Sequence, residues 1–197
     1  MGLNLTHGYG QTPLDEEEKE GLLVASVSTR GELDEFEQQN IEEAMQWLLT
    51  RSPKSGAILT ESFVCRLHLR MYGSVWAWAG HFRRTDKNLG IDKWQIPTAL
   101  KILLDDTAFW IAKQTYAPDE IALRFKHRIV SIHCFPNGNG RHSRLMADIL
   151  VEKVYKLPVF SWGARSGKPD AVRAAYLHAL RAADSGDMRP LLVFARS

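Results

Sequence analysis

The chain has 197 residues, 45% hydrophobic and 24% charged. That is the balance of a globular domain and not of a collagen-like, mucin-like or disordered chain. Lys plus Arg number 25 against 23 for Asp plus Glu, a net charge of +2, too even for bulk nucleic-acid binding. No apolar run reaches the ~20 residues that span a bilayer, so no membrane partner is expected. The first residues lack the basic region and apolar core of a secretory signal. Cys65 and Cys134 have no CxxC partner. The expectation is one cytoplasmic domain without a disulfide framework or zinc site.

In chain order the pattern is a series of helices. Thr12-Pro13-Leu14-Asp15 is a helix start, with Thr12 as cap and Asp15 in the capping-box position. The short acidic helix that follows is expected to end near Leu23. Thr29 to Glu32 is a second capping box. It opens a longer helix with Leu33, Phe36, Ile41, Ala44, Trp47 and Leu48 on one face, stopped by Ser52-Pro53-Lys54-Ser55-Gly56. Thr60 caps a third helix. Residues Arg83 to Gln95, with turn signals at Asn88-Leu89-Gly90 and Asp92-Lys93, read as a small hairpin, the single β candidate. Pro97 and Pro118 start two further helices, the second running to about Ile132. Helices over about 141–155, 169–183 and 188–195 complete an all-α chain with one hairpin.

The stretch that carries chemistry is His133-Cys134-Phe135-Pro136-Asn137-Gly138-Asn139-Gly140-Arg141-His142-Ser143-Arg144. A helix ends in a histidine, a loop with two glycines follows, and a new helix places two arginines three residues apart. Glycines at a helix N-terminus let backbone N–H groups close around an anion, and the dipole and guanidiniums add positive potential. A histidine beside such a phosphate site is suited to take a proton from a hydroxyl. The spacing is not that of a Walker loop or of a dinucleotide-binding fingerprint.

This segment resembles the signature of Fic (filamentation-induced-by-cAMP) domains, HPFx[D/E]GNGRxxR, with His133, Phe135, Gly138, Asn139, Gly140, Arg141 and Arg144 in register. Val75 to Arg83 is similar to the family's stretch leading into its target-binding flap. Tyr176 and Ala183 to Asp187 are similar to its C-terminal region. The whole chain also resembles a bacterial subgroup called mobile mystery protein B. The resemblance implies a Fic-like helical bundle over 29–197 behind an N-terminal segment, 1–28. It implies transfer of AMP from ATP, with Mg2+ or Mn2+, to a hydroxyl of an unidentified target protein docked on the flap. His133 would be the general base. Gly138, Asn139 and Gly140 would cradle the α- and β-phosphates. Arg141 would hold the β-phosphate and Arg144 the γ-phosphate, with Phe135 anchoring the loop.

Two positions depart from the signature. Cys134 replaces a shape-giving Pro. Asn137 replaces the acidic metal ligand, leaving it either a weak Mg2+ ligand or a turn residue. The alternative function is therefore a nucleotide-binding module with weak or different phosphate-containing transfer. Many Fic proteins also carry an inhibitory helix with an [S/T]xxxE[G/N] motif. Glu20-Gly21 matches it in part, which implies an inhibitory Glu20 paired with Arg144. The other reading of Glu16 to Glu20 is a solvated acidic face.

Overall fold

The computed structural model describes residues 15–51, 53–164 and 169–197. The architecture is all-α. Among the described residues there is no strand, only an isolated antiparallel bridge from Leu22 to Trp76. No helix among them is long and apolar enough to cross a membrane.

Helix α1 (Glu16–Lys19) is a single turn. Its box is built three residues later than the sequence suggests, with Asp15 as the cap: the Asp15 N–H donates to the Glu18 carboxylate at 2.9 Å. Thr12, Pro13 and Leu14 lie outside the described residues. The helix stops well short of Leu23 because the chain pairs elsewhere. Leu23 N–H donates to Val75 O and Ala77 N–H to Gly21 O, both at 2.8 Å.

Helix α2 (Arg30–Arg51) opens on the expected box. The Glu32 carboxylate accepts from the N–H groups of Ser28 and Thr29 at 2.8 and 2.9 Å. These bonds hold its carboxyl down at about 2. The buried stripe is Leu33, Glu37, Asn40, Ile41, Ala44 and Leu48. It includes two polar residues and leaves Phe36 outside, 38% exposed. Ser52, part of the expected stop, lies outside the described residues. After a one-turn α3 (Ser55–Ile58), α4 (Glu61–Tyr72) is capped by Thr60, whose hydroxyl accepts the Phe63 N–H at 3.2 Å.

The hairpin expected over Arg83 to Gln95 is not present. Residues 83–92 form an irregular loop that ends in a 3-10 turn, Lys93–Gln95. The physical reason is the Arg83 side chain. Buried inside the loop, it bonds the carbonyls of Thr85 and Ile91, replacing the cross-strand ladder a hairpin would need. Trp94 is 80% exposed.

Helices α5 (Ile96–Lys113) and α6 (Pro118–Ile132) follow the sequence pattern closely. Helix α7 (Asn139–Ile149) continues into a wide π turn, Leu150–Val154. Helices α8 (Pro169–Asp184) and α9 (Arg189–Arg196) close the chain. In the packed bundle α6 lies against both α5 and α7, α2 against α4, and α8 against α9. The Arg196 guanidinium ties the end of α9 to Asp119 at the start of α6, with Nε 2.7 Å from Oδ2. The core, including Leu67, Met71, Phe125, Phe135 and Met146, lies directly under the loop between α6 and α7.

Candidate active site

Helix α6 ends on His133, whose left-handed backbone (φ 58°) caps the helix and turns the chain into the loop. The imidazole is nearly buried, 5% exposed. Burial pushes its pKa down, and the Arg83 and Lys87 cations push it further, to about 4. It is therefore neutral at pH 7 and able to accept a proton.

The loop is held by side chains that the ligand does not need. Asn139 spends its amide on Phe135: its Oδ1 accepts the Phe135 N–H at 3.0 Å and its Nδ2 donates to the Phe135 carbonyl at 2.7 Å. Only its backbone N–H is left for an anion. His68, on α4, is stacked on the Phe135 ring at 3.7 Å between centroids. Its Nδ1 accepts the Gly80 N–H at 3.0 Å, which fixes the tautomer, so Nε2–H donates to the Asn137 carbonyl at 3.0 Å. Burial, with His142 beside it, keeps His68 well below its ordinary pKa. Gly138 sits at φ 76°, and a Cβ there would stand 2.6 Å from the Tyr72 ring. No other residue fits that position.

Helix α7 starts beyond Gly138, so the N–H groups of Asn139, Gly140 and Arg141 have no acceptor within the helix. They face a cavity of about 400 Å3. His133, Asn137, Gly138, Asn139, Gly140, Arg141 and Arg144 all line it. The structure thus brings together every signature residue expected to touch substrate. A Cβ on Gly140 would meet nothing within 4 Å, so this glycine leaves open space at the helix terminus.

The two arginines are held differently. Arg141 bonds the Glu37 carboxylate, Nη2 to Oε2 at 2.5 Å, and its guanidinium lies 5.1 Å from the Tyr72 ring. Glu37 is 1% exposed and also accepts from Trp76 Nε1 at 2.7 Å. Arg144 lies over the Tyr176 ring at 4.6 Å, with Trp162 at 6.0 Å, and its buried Nε has no hydrogen-bond partner among the described residues. Beneath it the fully buried Lys126 ammonium donates to Tyr176 Oη. Burial alone would raise the Tyr176 phenol, but the Lys126 and Arg144 cations bring it down on balance.

Two expectations need correction. Glu20 is exposed at the end of α1 and forms no ion pair with Arg144 among the described residues. Among the described side chains of α1 the inward acid is Glu18, which bonds Lys87 Nζ at 2.5 Å and Thr85 Oγ1 at 3.0 Å. A one-turn helix presents one inward position, and the pairing of 21–23 with 75–77 aims Glu18 at the 83–92 loop. For a metal, the side-chain oxygen of Asn137 turns back onto the Gly138 N–H at 2.6 Å. No group of three or more His, Cys, Asp or Glu suited to a metal occurs among the described residues. An uncharged, already engaged amide does not fit the hard-cation site that the signature's acid would make.

Sequence reasoning did not find Glu37, His68, Arg83 or Lys126. Of these, Arg83 enters the sequence pattern only as the start of the expected flap, and Glu37 leaves a local trace as an acid four residues after Leu33 on the buried stripe of α2.

The comparisons agree with this geometry. Residues 58–151 match the model of the Fic/DOC family. A protein adenylyltransferase Fic of Drosophila grimshawi is 31% identical over 140 residues, 69% of this chain and 28% of that protein. The Drosophila melanogaster protein of the same name is also 31% identical over 140 residues. The chain thus spans under a third of these relatives' length. Among solved structures, Fic-1 from C. elegans superposes with a TM-score of 0.66 at 21% identity, over 90% of this chain and 50% of that one. BepC of Bartonella tribocorum, with bound AMPPNP, gives 0.67 at 16% identity, over 92% and 97%. With the signature residues gathered in one cavity and residues 58–151 matching its model, this chain belongs to the Fic/DOC family.

Proposed function

We propose that the chain is a protein adenylyltransferase that moves AMP from ATP to a hydroxyl side chain of a target protein. The observation that supports it best is the convergence in one cavity of a neutral histidine, the open N-terminus of α7 and two arginines. In this reading ATP lays its phosphates on the N–H groups of Asn139 to Arg141. The His133 imidazole takes the proton of the target hydroxyl. That oxygen attacks the α-phosphorus and forms the new P–O bond. The bond from the α-phosphorus to the bridging oxygen breaks, and pyrophosphate leaves with the electron pair. Arg141, Arg144 and the helix terminus hold the developing charge. The proton passes from His133 to solvent. The target would lie along the 83–92 loop, as the flap of the resembled family does.

A second reading is a nucleotide-binding module with little turnover, favoured by the engagement of Asn137 within its own turn. Incubation with α-32P-ATP and, separately, γ-32P-ATP in the presence of candidate targets separates the readings. Label from the α position alone supports AMP transfer, and label from γ alone means phosphorylation. Nucleotide binding without label means the module. His133→Ala should abolish α-label and keep ATP affinity within a few-fold, since a base acts on the attacking hydroxyl. Near-wild-type labelling by that variant would remove His133 from the mechanism.

A further inference from the structure

We propose that Arg83 is a positioning residue of this site: one buried guanidinium fixes the backbone of His133 and both legs of the 83–92 loop in a single rigid unit. The surface offered to a target and the base that would take its proton are then set by the same side chain. The effect on rate rests on the adenylyltransferase reading, while the mechanical linkage does not.

The geometry is specific. Arg83 is 3% exposed. Its Nε donates to the His133 carbonyl at 2.7 Å. Its Nη1 donates to the Thr85 carbonyl at 2.9 Å and reaches Asp86 Oδ1 at 3.4 Å. Its Nη2 donates to the Ile91 carbonyl. Thr85 and Ile91 are the two ends of the loop's tip, so one planar group spans both and the catalytic turn. Two backbone bonds run alongside, Arg83 N–H to Cys134 O at 2.9 Å and Ile91 N–H to Ile132 O at 3.5 Å. Asp86 extends the unit by accepting the Lys93 N–H at 2.9 Å, at the 3-10 turn leading into α5.

The loop also touches the histidine directly. A Cβ on Gly90 would stand 2.6 Å from His133 Cβ and 3.0 Å from Arg83 Nη2. Backbone therefore lies against the imidazole's root, with Gly90 in a left-handed conformation (φ 99°). His133 is left-handed too, a geometry that a residue with a Cβ adopts only when its surroundings hold it there. The bond from Arg83 to its carbonyl is one such hold. Only a guanidinium offers enough fixed donors for this: a lysine has the charge but not the planar fork.

The same cation faces the imidazole electrostatically. Lys87 faces it from the loop. Arg141 and Arg144 from α7, Arg30 and Asp34 from α2, and Arg173 from α8 line the shared cavity. Burial is the main cause of the low His133 pKa, followed by Arg83 and then Lys87.

The test compares Arg83→Lys, Arg83→Gln and Gly90→Ala with wild type in the full chain, each checked for a native melt. Three quantities are read: α-32P labelling rate, ATP dissociation constant, and the NMR titration of His133, with amide exchange at Ile91 alongside. In both Arg83 variants labelling should fall roughly 100-fold, the loss typical of a ~1 Å misplacement, with ATP affinity within about threefold. Exchange at Ile91 should quicken by about tenfold or more as the loop loosens. The His133 titration should stay where it is in Arg83→Lys and rise in Arg83→Gln by the lesser part that the Arg83 cation contributes, with burial still holding it below its ordinary range, a difference between the two variants that no purely structural role produces. Labelling within about twofold of wild type, or unchanged Ile91 exchange, in a folded Arg83 variant overturns the proposal. Should neither Arg83 variant fold, Gly90→Ala decides: lost labelling with retained ATP binding supports the linkage, and retained labelling overturns it. If His133→Ala still labels, the base reading has failed, and Arg83 is judged on exchange and titration alone, which need no turnover.

Discussion

At the scale of single residues, the signature loop divides its labour between shape and chemistry. Gly138 and the Asn139 side chain build the turn. Gly140, the backbone N–H groups and the arginines are left for a ligand. Gly140→Ala is therefore expected to leave the fold intact, even stabilising α7 by up to ~1 kcal/mol from helix propensity. The added methyl would occupy the open space at the helix terminus, and ATP affinity should drop by about tenfold or more. Calorimetric titration with ATP beside a thermal melt checks both halves, and unchanged affinity would place the phosphates elsewhere. Glu37 makes the opposite prediction. Its carboxylate occupies the Arg141 guanidinium that a phosphate would use. Arg141 is partly open to the cavity, its side chain 35% exposed, so the pair is weaker than a fully buried one. Removing it should free roughly 1 kcal/mol for ligand, about fivefold in affinity. Glu37→Gln keeps an acceptor for Trp76 and removes the charge. Tighter ATP binding by that margin makes Glu37 a competitor of substrate, whereas weaker binding makes it the support that aims Arg141.

At the scale of elements, the helices obey local rules and the connections do not. The capping box at Thr29–Glu32, the Thr60 cap and the Pro118 start form as the sequence predicts, because each depends on atoms within four residues. Thr60→Ala should cost about 1 kcal/mol and lower the melting temperature by ~2–4 °C. Helix α4 carries His68 and Tyr72 beneath the loop, so labelling measured near that lowered midpoint should fall with the folded fraction. A melt unchanged within error would mean that packing alone holds the start of α4. The 83–92 segment shows the other case. Its turn residues are those of a hairpin, yet a buried arginine supplies the bonds a ladder would have made. The chain from α1 to Leu23 likewise follows its long-range partners, Lys87 on Glu18 and Val75 and Ala77 on residues 21–23, and Glu18 faces inward while Glu20 is exposed.

At the scale of the whole molecule, the site is embedded in a core containing several neutral buried imidazoles. His133 and His142 lie near 4, and His68 is also far below its ordinary range, in each case chiefly through burial. Unfolded, these histidines titrate near 6.5. Between those values the unfolded chain binds more protons, so the stability they support is present above about 6.5 and is lost as pH falls toward 4. Asp148 works the other way, since burial raises it to about 6. Its protonated form favours the fold below its unfolded value, and that contribution is lost as pH rises through 6. With three histidines against one aspartate, stability should fall by roughly 2–3 kcal/mol per pH unit near pH 5. Urea melts at pH 7, 6 and 5 check this. A flat profile would mean that the buried histidines are protonated in the fold.

The sequence by itself determined the helical class, most helix boundaries and the contiguous residues that line the cavity at the start of α7. Those features are set by periodicity, caps and a contiguous motif, all of them short-range. What the tertiary structure decided is which groups from distant parts of the chain meet that motif: Glu37 on Arg141, His68 on the Asn137 carbonyl, Arg83 on the His133 carbonyl and Lys126 under Tyr176. The partners in these pairs lie 50 to 104 positions apart. Helical spacing places a charge or an imidazole on a face, but only the packing of the helices on one another determines what that face touches. A buried polar group must find a partner wherever the bundle puts one.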